Sequence, residues 1–196
     1  KYNLKDPRNL DAAFRQVFNG GWTYSKQGAT PNGTNGYADT KFNPSVQTSI
    51  SSTHISVYHT TNFATGWSLA CSEAGYNPLY GNISRYNNGR AYVLIGSTVS
   101  YISNSDGRGF YVALRNSNTQ KLFKNSTQII SETDSGTTLP NRNAYLACVN
   151  LGGTGATEFD SKSTAFASLG DGLTDTEASA MYTSVQSYQT SMQRQV

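Results

Sequence analysis

The chain has 196 residues and a formal net charge of +3, and only 14% of its residues are charged. This length suits one domain, because all-β sandwiches and barrels commonly reach it as a single unit. Lys and Arg are scattered rather than clustered, so the sequence lacks the basic stripe that tracks a phosphate backbone, and nucleic acid is excluded as an expected partner. We therefore expect residues 1–196 to form one domain with a polar, largely uncharged surface.

Hydropathy gives no sign of a membrane segment. No apolar run approaches the ~20 residues that a membrane-spanning helix needs. The opening residues, KYNLKDPRNL, carry no apolar signal-peptide region. Because the chain opens on Lys1 without an initiator methionine, we expect either a processed chain or the C-terminal part of a longer one.

The first third of the chain predicts short strands around a turn-rich loop. Aromatic residues surround a Gly-Gly pair in AFRQVFNGGWTYS, which indicates two short strands or one bulged strand. The stretch GATPNGTNGYADT (28–40) holds two Asn-Gly pairs, the strongest short-range turn signal. We predict an ordered, exposed loop in which Tyr37 packs inward and Asp39 is anchored near the next segment. THISVYHTT then alternates in the β period and predicts a strand.

Further strands follow in the middle of the chain. TGWSLACSE predicts a strand, and GYNPLYGNISRYNNGR (75–90) predicts a second elaborate loop because proline, glycine and an Asn-Asn-Gly cluster interrupt it. RAYVLIGSTVSYIS predicts one long strand or two strands broken near Gly96. RGFYVALRNS, NAYLACVNL and STAFASLG predict more strands, and KLFKNSTQIIS predicts a hairpin around Asn125. Strands at short spacing with turn signals between them indicate a sandwich or barrel rather than βαβ units.

The C-terminal segment breaks the β pattern. Thr174 followed three residues later by Glu177 forms a capping box, which marks the start of a helix. Apolar residues then recur at helical spacing and predict a helix over about 175–194. This apolar stripe must pack against the flank of the sandwich or against a neighbouring subunit. Its members are Ala178, Met181, Tyr182, Val185, Tyr188 and Met192.

The cysteines and histidines do not suggest a metal site. Cys71 and Cys148 each lie in a strand-like run, and we interpret them as two small buried residues, with a disulfide as the alternative. The two histidines, His54 and His59, lie five residues apart in another run, whereas a zinc site needs four ligands at metal spacing. We expect no metal and no cofactor.

Two pairs of acids have the spacing that catalysis would require. A glycosidase of sandwich fold needs two carboxylates about 5–9 Å apart. Glu132 with Asp134, and Glu158 with Asp160, have an i, i+2 spacing, but neither pair has a third acid on the same face, and we interpret all four as solvated loop acids. No nucleophile elbow or phosphate-binding loop is present. We therefore expect no enzyme, with a polysaccharide-cleaving enzyme as an alternative.

Ligand binding on loops is better supported by the sequence. Sugar sites on β-sandwiches use Asn and Asp to hydrogen-bond hydroxyl groups and a Tyr or Trp ring to stack on the sugar. Both predicted loops supply such residues, although turns also require Asn and Gly, so a purely structural role is the alternative. We interpret Trp67 as a core residue. The candidate ligand-binding residues are Asn35, Tyr37, Asp39, Tyr80, Arg85, Tyr86, Asn87 and Asn88.

A family resemblance covers most of the chain, in general pattern rather than in a catalytic signature. It is carried by NGGWTYS, PNGTNGYADT, HISVYHTTN, GFYVALRNS, TLPNRNAYLACVN and the C-terminal stretch from AFASLGDGLTDTEA onward. These stretches resemble the concanavalin A-like lectin/glucanase (laminin-G-like) jelly rolls of tailed-bacteriophage virion proteins. The resemblance implies an all-β, antiparallel jelly-roll β-sandwich closed by the C-terminal helix. No stretch matches the Glu-x-Asp-x-x-Glu strand of the glucanase branch or a calcium-binding acid cluster of the lectin branch.

The resemblance also implies a role. It predicts a non-enzymatic virion surface domain, a fibre or capsid decoration that lies outside the cell after release. The expected ligand is a glycan or another cell-surface polysaccharide, and the expected partners are further copies of the chain or other virion proteins, with no membrane partner. The alternative is a purely architectural oligomerisation domain.

Overall fold

The computed structural model describes residues 3–134, 136 and 138–196. Within these residues the chain forms two stacked β-sheets, and a C-terminal helix covers the outer face of one sheet. The predicted all-β sandwich with one C-terminal helix is therefore confirmed. The strands are β1 Val17–Asn19, β2 Trp22–Ser25, β3 Gly28–Pro31, β4 Tyr37–Asp39, β5 Ser52–His59, β6 Leu69–Ser72, β7 Leu79–Ile83, β8 Arg90–Gly96, β9 Ser100–Ser103, β10 Gly109–Asn116, β11 Thr119–Lys124, β12 Thr127–Thr133, β13 Tyr145–Leu146, β14 Val149–Leu151, β15 Gly155–Thr157 and β16 Thr164–Gly170. The helices are α1 Pro44–Gln47 and α2 Asp175–Ser191, with 3₁₀ turns at Asp11–Ala13 and Ala74–Tyr76.

The two sheets differ in strand order and in regularity. Sheet A has the order β1-β4-β13-β6-β7-β8-β9, with β14 and β15 attached beside β6. Sheet B has the order β12-β11-β10-β5-β16-β3-β2. Among the described strands, every pair is antiparallel except β14, which runs parallel to β6. The sandwich is thus antiparallel apart from this one pair.

The central strands of sheet B, β5 and β10, are buried on both faces. Successive side chains of a strand point to opposite faces, so Val57 on β5 and Ala113 on β10 face sheet A, while Tyr58 and Val112 face α2. All four side chains have no exposed surface. The strand predicted for RGFYVALRNS is confirmed as β10. Burial of both faces explains why apolar residues occupy neighbouring positions in these two strands.

Helix α2 begins at the predicted capping box. The Thr174 hydroxyl accepts a hydrogen bond from the Glu177 N–H at 3.2 Å, and the Glu177 carboxylate accepts one from the Thr174 N–H at 2.8 Å. The helix ends at Ser191, three residues before the predicted end. Ala178 and Val185 of the apolar stripe are buried against sheet B, so this part of the stripe covers the sandwich's own flank.

The two predicted loops are shorter than expected. Strands β3 and β4 occupy both ends of the 28–40 stretch, which leaves a turn over residues 32–36. The Asn32 side-chain oxygen closes this turn by accepting hydrogen bonds from the N–H groups of residues 34–36, each at 3.0 Å. The 75–90 stretch contains strand β7, which is buried at every position. Asn and Gly signal turns, but they do not show where the flanking strands begin.

The structure also divides the NAYLACVNL stretch and adds an element. One predicted strand is in fact two, β13 and β14, because Ala147 between them adopts a left-handed backbone with φ of 67°. Helix α1 was not predicted, although Asn43 caps it by accepting a hydrogen bond from the Ser45 N–H at 3.1 Å. The division of the predicted strand produces the parallel β6–β14 pair.

Buried ion pairs close the core at two opposite ends. Asp134 Oδ2 lies 2.8 Å from Arg115 Nη1, and Asp160 Oδ1 lies 2.8 Å from Lys162 Nζ. All four side chains are at most 3% exposed. The interpretation of Asp134 and Asp160 as solvated loop acids is therefore wrong, whereas Glu132 is exposed on β12. The sequence could not show this, because the burial of the Asp160–Lys162 pair depends on distant segments, and Arg115 meets Asp134 only through the β10–β11–β12 pairing.

Cys71 and Cys148 are free thiols and are both buried, which confirms their interpretation as small buried residues. Burial raises the pKa of both thiols. Among the described residues, no group of three or more His, Cys, Asp or Glu side chains could hold a metal ion. None of the helices within the described ranges has the length and apolar character needed to cross a bilayer.

Breaking the Asp160–Lys162 pair should destabilise the protein strongly. We expect Lys162→Met to lower the free energy of unfolding by about 3–5 kcal/mol, because it leaves an unpaired carboxylate in the core. Urea denaturation followed by tryptophan fluorescence measures this loss. The double variant Asp160→Asn/Lys162→Met should recover a large part of it, since no buried charge remains. A loss below about 1 kcal/mol, the range of an exposed pair, would contradict the burial of the pair.

Protonation of His59 should make the fold sensitive to acid. The imidazole is fully buried, with Nε2 4.0 Å from Asp160 Oδ2, and burial lowers its pKa to about 4 from an ordinary value of 6.5. As the pH falls, the unfolded chain takes up this proton first, so the stabilisation is complete above about pH 6.5 and is lost as the pH falls towards about 4. Urea midpoints between pH 7 and pH 4 should therefore fall more steeply for the wild type than for His59→Gln. Equal slopes would contradict a buried neutral His59.

Candidate ligand-binding surface

The outer face of sheet A carries tyrosines at its β8–β9 edge. Val93 on β8 faces the core, so Arg90 and Tyr92 on the same strand point away from it. Tyr101 on the edge strand β9 lies directly opposite Tyr92, and paired residues share a face. The strand period thus brings two aromatic rings and a cation together outside the core.

Three tyrosines form a continuous group there. The ring centroids of Tyr86 and Tyr92 are 6.1 Å apart, and those of Tyr92 and Tyr101 are 5.6 Å apart. A fourth, Tyr76, donates a hydrogen bond from its hydroxyl to Oε1 of Glu158. Tyr101 is 52% exposed and Tyr76 37%. We call Tyr76, Tyr86, Tyr92 and Tyr101 the tyrosine patch.

Polar groups surround the tyrosine patch. The Asn88 amide donates a hydrogen bond to the Tyr92 hydroxyl at 2.6 Å, and the neighbouring Asn87 is exposed. The guanidinium carbon of Arg90 lies 4.1 Å from the centroid of the Tyr101 ring, a cation–π contact. The surface therefore combines exposed ring faces with hydrogen-bond donors and acceptors.

Trp67 supports the patch from below. It is buried, as predicted, but it lies on the outer face of sheet A, where it covers Gly81. Its Nε1 donates a hydrogen bond to Glu158 Oε2 at 3.0 Å. Burial and the nearby Glu158 carboxylate raise the pKa of Tyr76, so its hydroxyl remains a donor to that carboxylate. Glu158 therefore joins the buried indole to the exposed phenol.

Asp160 anchors the chain segments that carry this surface. Its Oδ1 accepts hydrogen bonds from the Thr65 hydroxyl at 2.6 Å and from Lys162 Nζ at 2.8 Å. Lys162 Nζ also donates to the backbone carbonyl of Arg85 at 3.3 Å. The three segments held in this way lead into Trp67, Tyr86 and Glu158. The buried ion pair therefore fixes the relative positions of residues on the surface.

The candidates from the second predicted loop lie in different places. Tyr86 belongs to the tyrosine patch, and Asn87 and Asn88 follow it on the turn between β7 and β8. Arg85 Nη1 donates a hydrogen bond to the Asn62 side chain at 3.0 Å. Tyr80 lies between the sheets with no exposed surface, and its hydroxyl donates to the His54 carbonyl at 2.7 Å. Tyr80 therefore does not reach this surface.

The candidates from the first predicted loop lie near the opposite edge of sheet A. Tyr37 stacks on Tyr145 on the outer face and does not pack inward as expected. Asp39 is anchored by the segment that follows it, as predicted, because Oδ1 accepts a hydrogen bond from the Lys41 N–H at 2.8 Å. Asn35 is exposed, and its side-chain oxygen accepts one hydrogen bond from the Asn32 amide within the turn and one from the Gly21 N–H, between β1 and β2. Its role there is to shape the turn.

Several residues of the surface were missed by sequence reasoning. The β alternation of RAYVLIG does place its tyrosine, Tyr92, on the strand face opposite to that of Val93, but the sequence does not say which face has a second layer over it. Glu158 was read as a loop acid because its partners come from distant segments. The missed residues are Tyr76, Arg90, Tyr92, Tyr101 and Glu158.

Comparison with known structures identifies similar sandwiches. No family model matches the chain. No curated protein matches it in sequence either. A mutant of the NanB sialidase from Streptococcus pneumoniae superposes with a TM-score of 0.58 and 18% identity, over 85% of this chain and 27% of that one. This chain thus spans about a quarter of that sialidase.

Two further similar structures are of comparable size to this chain. Domain 4 of AbnA, a GH43 extracellular arabinanase from Geobacillus stearothermophilus in complex with arabinotriose, gives a TM-score of 0.55 and 13% identity over 86% of this chain and 87% of that one. The CBM40 of Ruminococcus gnavus IT-sialidase bound to α2,3 sialyllactose gives 0.51 and 18% over 70% and 85%. At these identities the likeness is one of fold: the chain is a β-sandwich of the same kind.

Filling the space at Gly81 should disturb the support of the patch. A Cβ there would lie 2.6 Å from Ala70 Cβ and 3.1 Å from the Trp67 ring. We expect Gly81→Ala to cost about 1–3 kcal/mol of stability, as overpacking does. In a Trp22→Phe background, the emission of Trp67 should shift to longer wavelength as the indole becomes exposed. Ser103→Ala, at an exposed site on β9, is the control, and an unshifted spectrum in Gly81→Ala would contradict the packing.

Proposed function

We propose that the chain is a non-enzymatic glycan-binding domain that holds a sugar against the tyrosine patch. The observation that carries this proposal is the group of partly exposed rings bordered by an amide, a guanidinium group and a carboxylate. Tyrosine supplies a large, rigid, amphipathic contact at low cost in side-chain entropy. Its ring can pack on the C–H face of a sugar, while Asn88 and Arg90 donate hydrogen bonds to hydroxyl groups, which gives orientation.

Two of the similar structures support the ligand class. Domain 4 of AbnA was solved with arabinotriose and the CBM40 with α2,3 sialyllactose. A sandwich of this kind can therefore present a sugar-binding surface. Because both are less than 25% identical to this chain, they support the class of ligand and not the particular sugar.

The positions of the acids support binding rather than polysaccharide cleavage. Asp134 and Asp160 are each paired with a buried cation and have no access to a surface ligand. Both oxygens of Glu158 accept hydrogen bonds from aromatic side chains. A hydrolase of this fold would instead need two carboxylates facing one sugar. The enzymatic alternative therefore has less support than a binding role.

The finer part of the proposal concerns location and partners. We propose that the domain decorates a virion, as a fibre or capsid module that attaches to host polysaccharide, and the sequence resemblance is its support. The architectural alternative draws on the exposed end of the α2 stripe, Tyr188 and Met192, which a second copy could cover. Adsorption of the isolated domain to bacterial cells supports attachment if it is lost when the cells are stripped of polysaccharide. Self-association without adsorption favours the architectural alternative.

Removal of one exposed ring should weaken glycan binding. Against the polysaccharide that binds best in an array of plant, algal and bacterial polysaccharides, we expect Tyr101→Ala to lower affinity about tenfold or more, because the ring provides a large part of the contact. Titration calorimetry measures this change, and equal melting temperatures of the variants and the wild type show that the proteins remain folded. Tyr24→Ala is the control, since Tyr24 is 65% exposed but lies on β2 of sheet B. Equal effects of the two substitutions, or no bound polysaccharide, would contradict the proposal.

A further inference from the structure

A second aromatic site lies on the same outer face of sheet A. The rings of Tyr37 and Tyr145 are stacked with centroids 4.8 Å apart and planes 25° apart. Ala38 and Leu146, their neighbours along β4 and β13, face the core, so both tyrosines point outward. Each ring is partly exposed. We call these two tyrosines the stacked pair.

Polar groups border the stacked pair as they border the tyrosine patch. Asp39 lies beside Tyr145 in the β4–β13 register. Its Oδ1 accepts a hydrogen bond from the Asn143 amide at 3.1 Å, and its Oδ2 lies 3.0 Å from Lys41 Nζ. The hydrogen bond to Asp39 raises the pKa of Lys41 above its ordinary value, so the charged form of the ammonium group is favoured next to the carboxylate. Rings, an amide, a carboxylate and a cation therefore occur together at both sites.

The strand register connects the two sites across the sheet. Tyr145 lies opposite Ala70, and Ala70 lies opposite Gly81. Gly81 lies opposite Leu94, two residues from Tyr92 on the same strand face. Neighbouring strands are about 4.8 Å apart, so three steps separate the strands of Tyr145 and Tyr92 by about 14 Å. The ring of Trp67 covers Gly81 on the face between them.

We propose that the stacked pair is a second sugar subsite and that the ligand is a linear, largely uncharged polysaccharide that contacts both sites along its chain. This inference rests on the proposed function of the tyrosine patch. A single sugar ring cannot cover a separation of about 14 Å, whereas several linked rings can. The absence of a dominant charge at either site, in a chain with only 14% charged residues, matches hydroxyl-rich rather than strongly ionic sugars. Linkage of two weak contacts through one ligand also raises the affinity beyond either alone.

The test uses fragments of increasing length. Partial acid hydrolysis of the best-binding polysaccharide from the array gives a ladder of one to eight sugar units, and calorimetry gives the affinity of each. We expect the wild-type affinity to rise with length and then to level off once both sites are spanned. Tyr145→Ala should lower the affinity for the long fragments about tenfold and leave the short ones unchanged. Tyr101→Ala should lower both.

Two controls keep the result interpretable. Tyr145→Phe retains the ring and should retain the affinity for long fragments. Tyr37→Ala removes the other ring of the stacked pair and should reproduce the length-specific loss if Tyr145→Ala folds poorly, which the melting temperature reports. A wild-type affinity that does not depend on length, or equal losses for short and long fragments in Tyr145→Ala, would overturn the second subsite and leave the proposed function standing. Unchanged binding in both Tyr101→Ala and Tyr145→Ala would overturn both.

Discussion

The ion pair between Asp160 and Lys162 links the core of this protein to its surface. A buried pair adds little net folding free energy compared with apolar residues of similar volume, because both charges lose their hydration. Its effect here is to fix the relative positions of chain segments. The carboxylate also accepts hydrogen bonds from Thr65 and from two backbone N–H groups, and the ammonium group holds the Arg85 carbonyl. Through these bonds the pair holds together three segments that are distant in the sequence.

The location of the candidate site follows from how the two sheets are covered. Helix α2 packs on the outer face of sheet B, with Ala178 and Val185 against Tyr58 and Val112. In the part of the chain that the structure describes, no such helix covers sheet A, so the apolar residues of its outer face are covered by its own side chains. Trp67 does this over Gly81, and the tyrosines continue the covering outward until the rings reach solvent. An aromatic surface is therefore a direct consequence of a sheet that lacks a second layer.

The sequence predicted those parts of the fold that depend on short-range pattern. The alternation around Val57 and Val112 identified strands β5 and β10, and the Thr174 capping box identified the start of α2. Strand β7 was missed because Gly81 reads as a loop signal, although the glycine is there to accommodate the Trp67 ring. The ion pairs of Asp134 and Asp160 were missed for a different reason. Lys162 is only two residues from Asp160, and Arg115 meets Asp134 through the β10–β11–β12 pairing, but whether such a pair is buried depends on the packing of distant segments, which no local pattern encodes.

The same distinction between short-range sequence pattern and long-range packing separates the candidate residues that reach the surface from those that were missed. Tyr86 and Asn88 were found because a turn displays its residues wherever it lies. Tyr92 and Tyr145 are strand residues, and a strand residue is exposed or buried according to which of its faces receives a second layer. Tyr37 and Tyr145 are far apart in sequence and meet only through the β4–β13 pairing. A binding surface built on a sheet is thus harder to predict than one built on loops.

The use of carboxylates supports the proposal that this sandwich binds a ligand rather than transforms it. A general acid or base needs an oxygen that is free to exchange a proton with the ligand. Asp160 places its Oδ1 in the core network, and Glu158 gives one oxygen to the Trp67 indole and the other to the Tyr76 phenol. These acids orient neighbouring groups instead of facing a substrate. A surface whose carboxylates fix the positions of rings is rigid, and rigidity lowers the entropy cost of holding a ligand without providing chemistry to transform it.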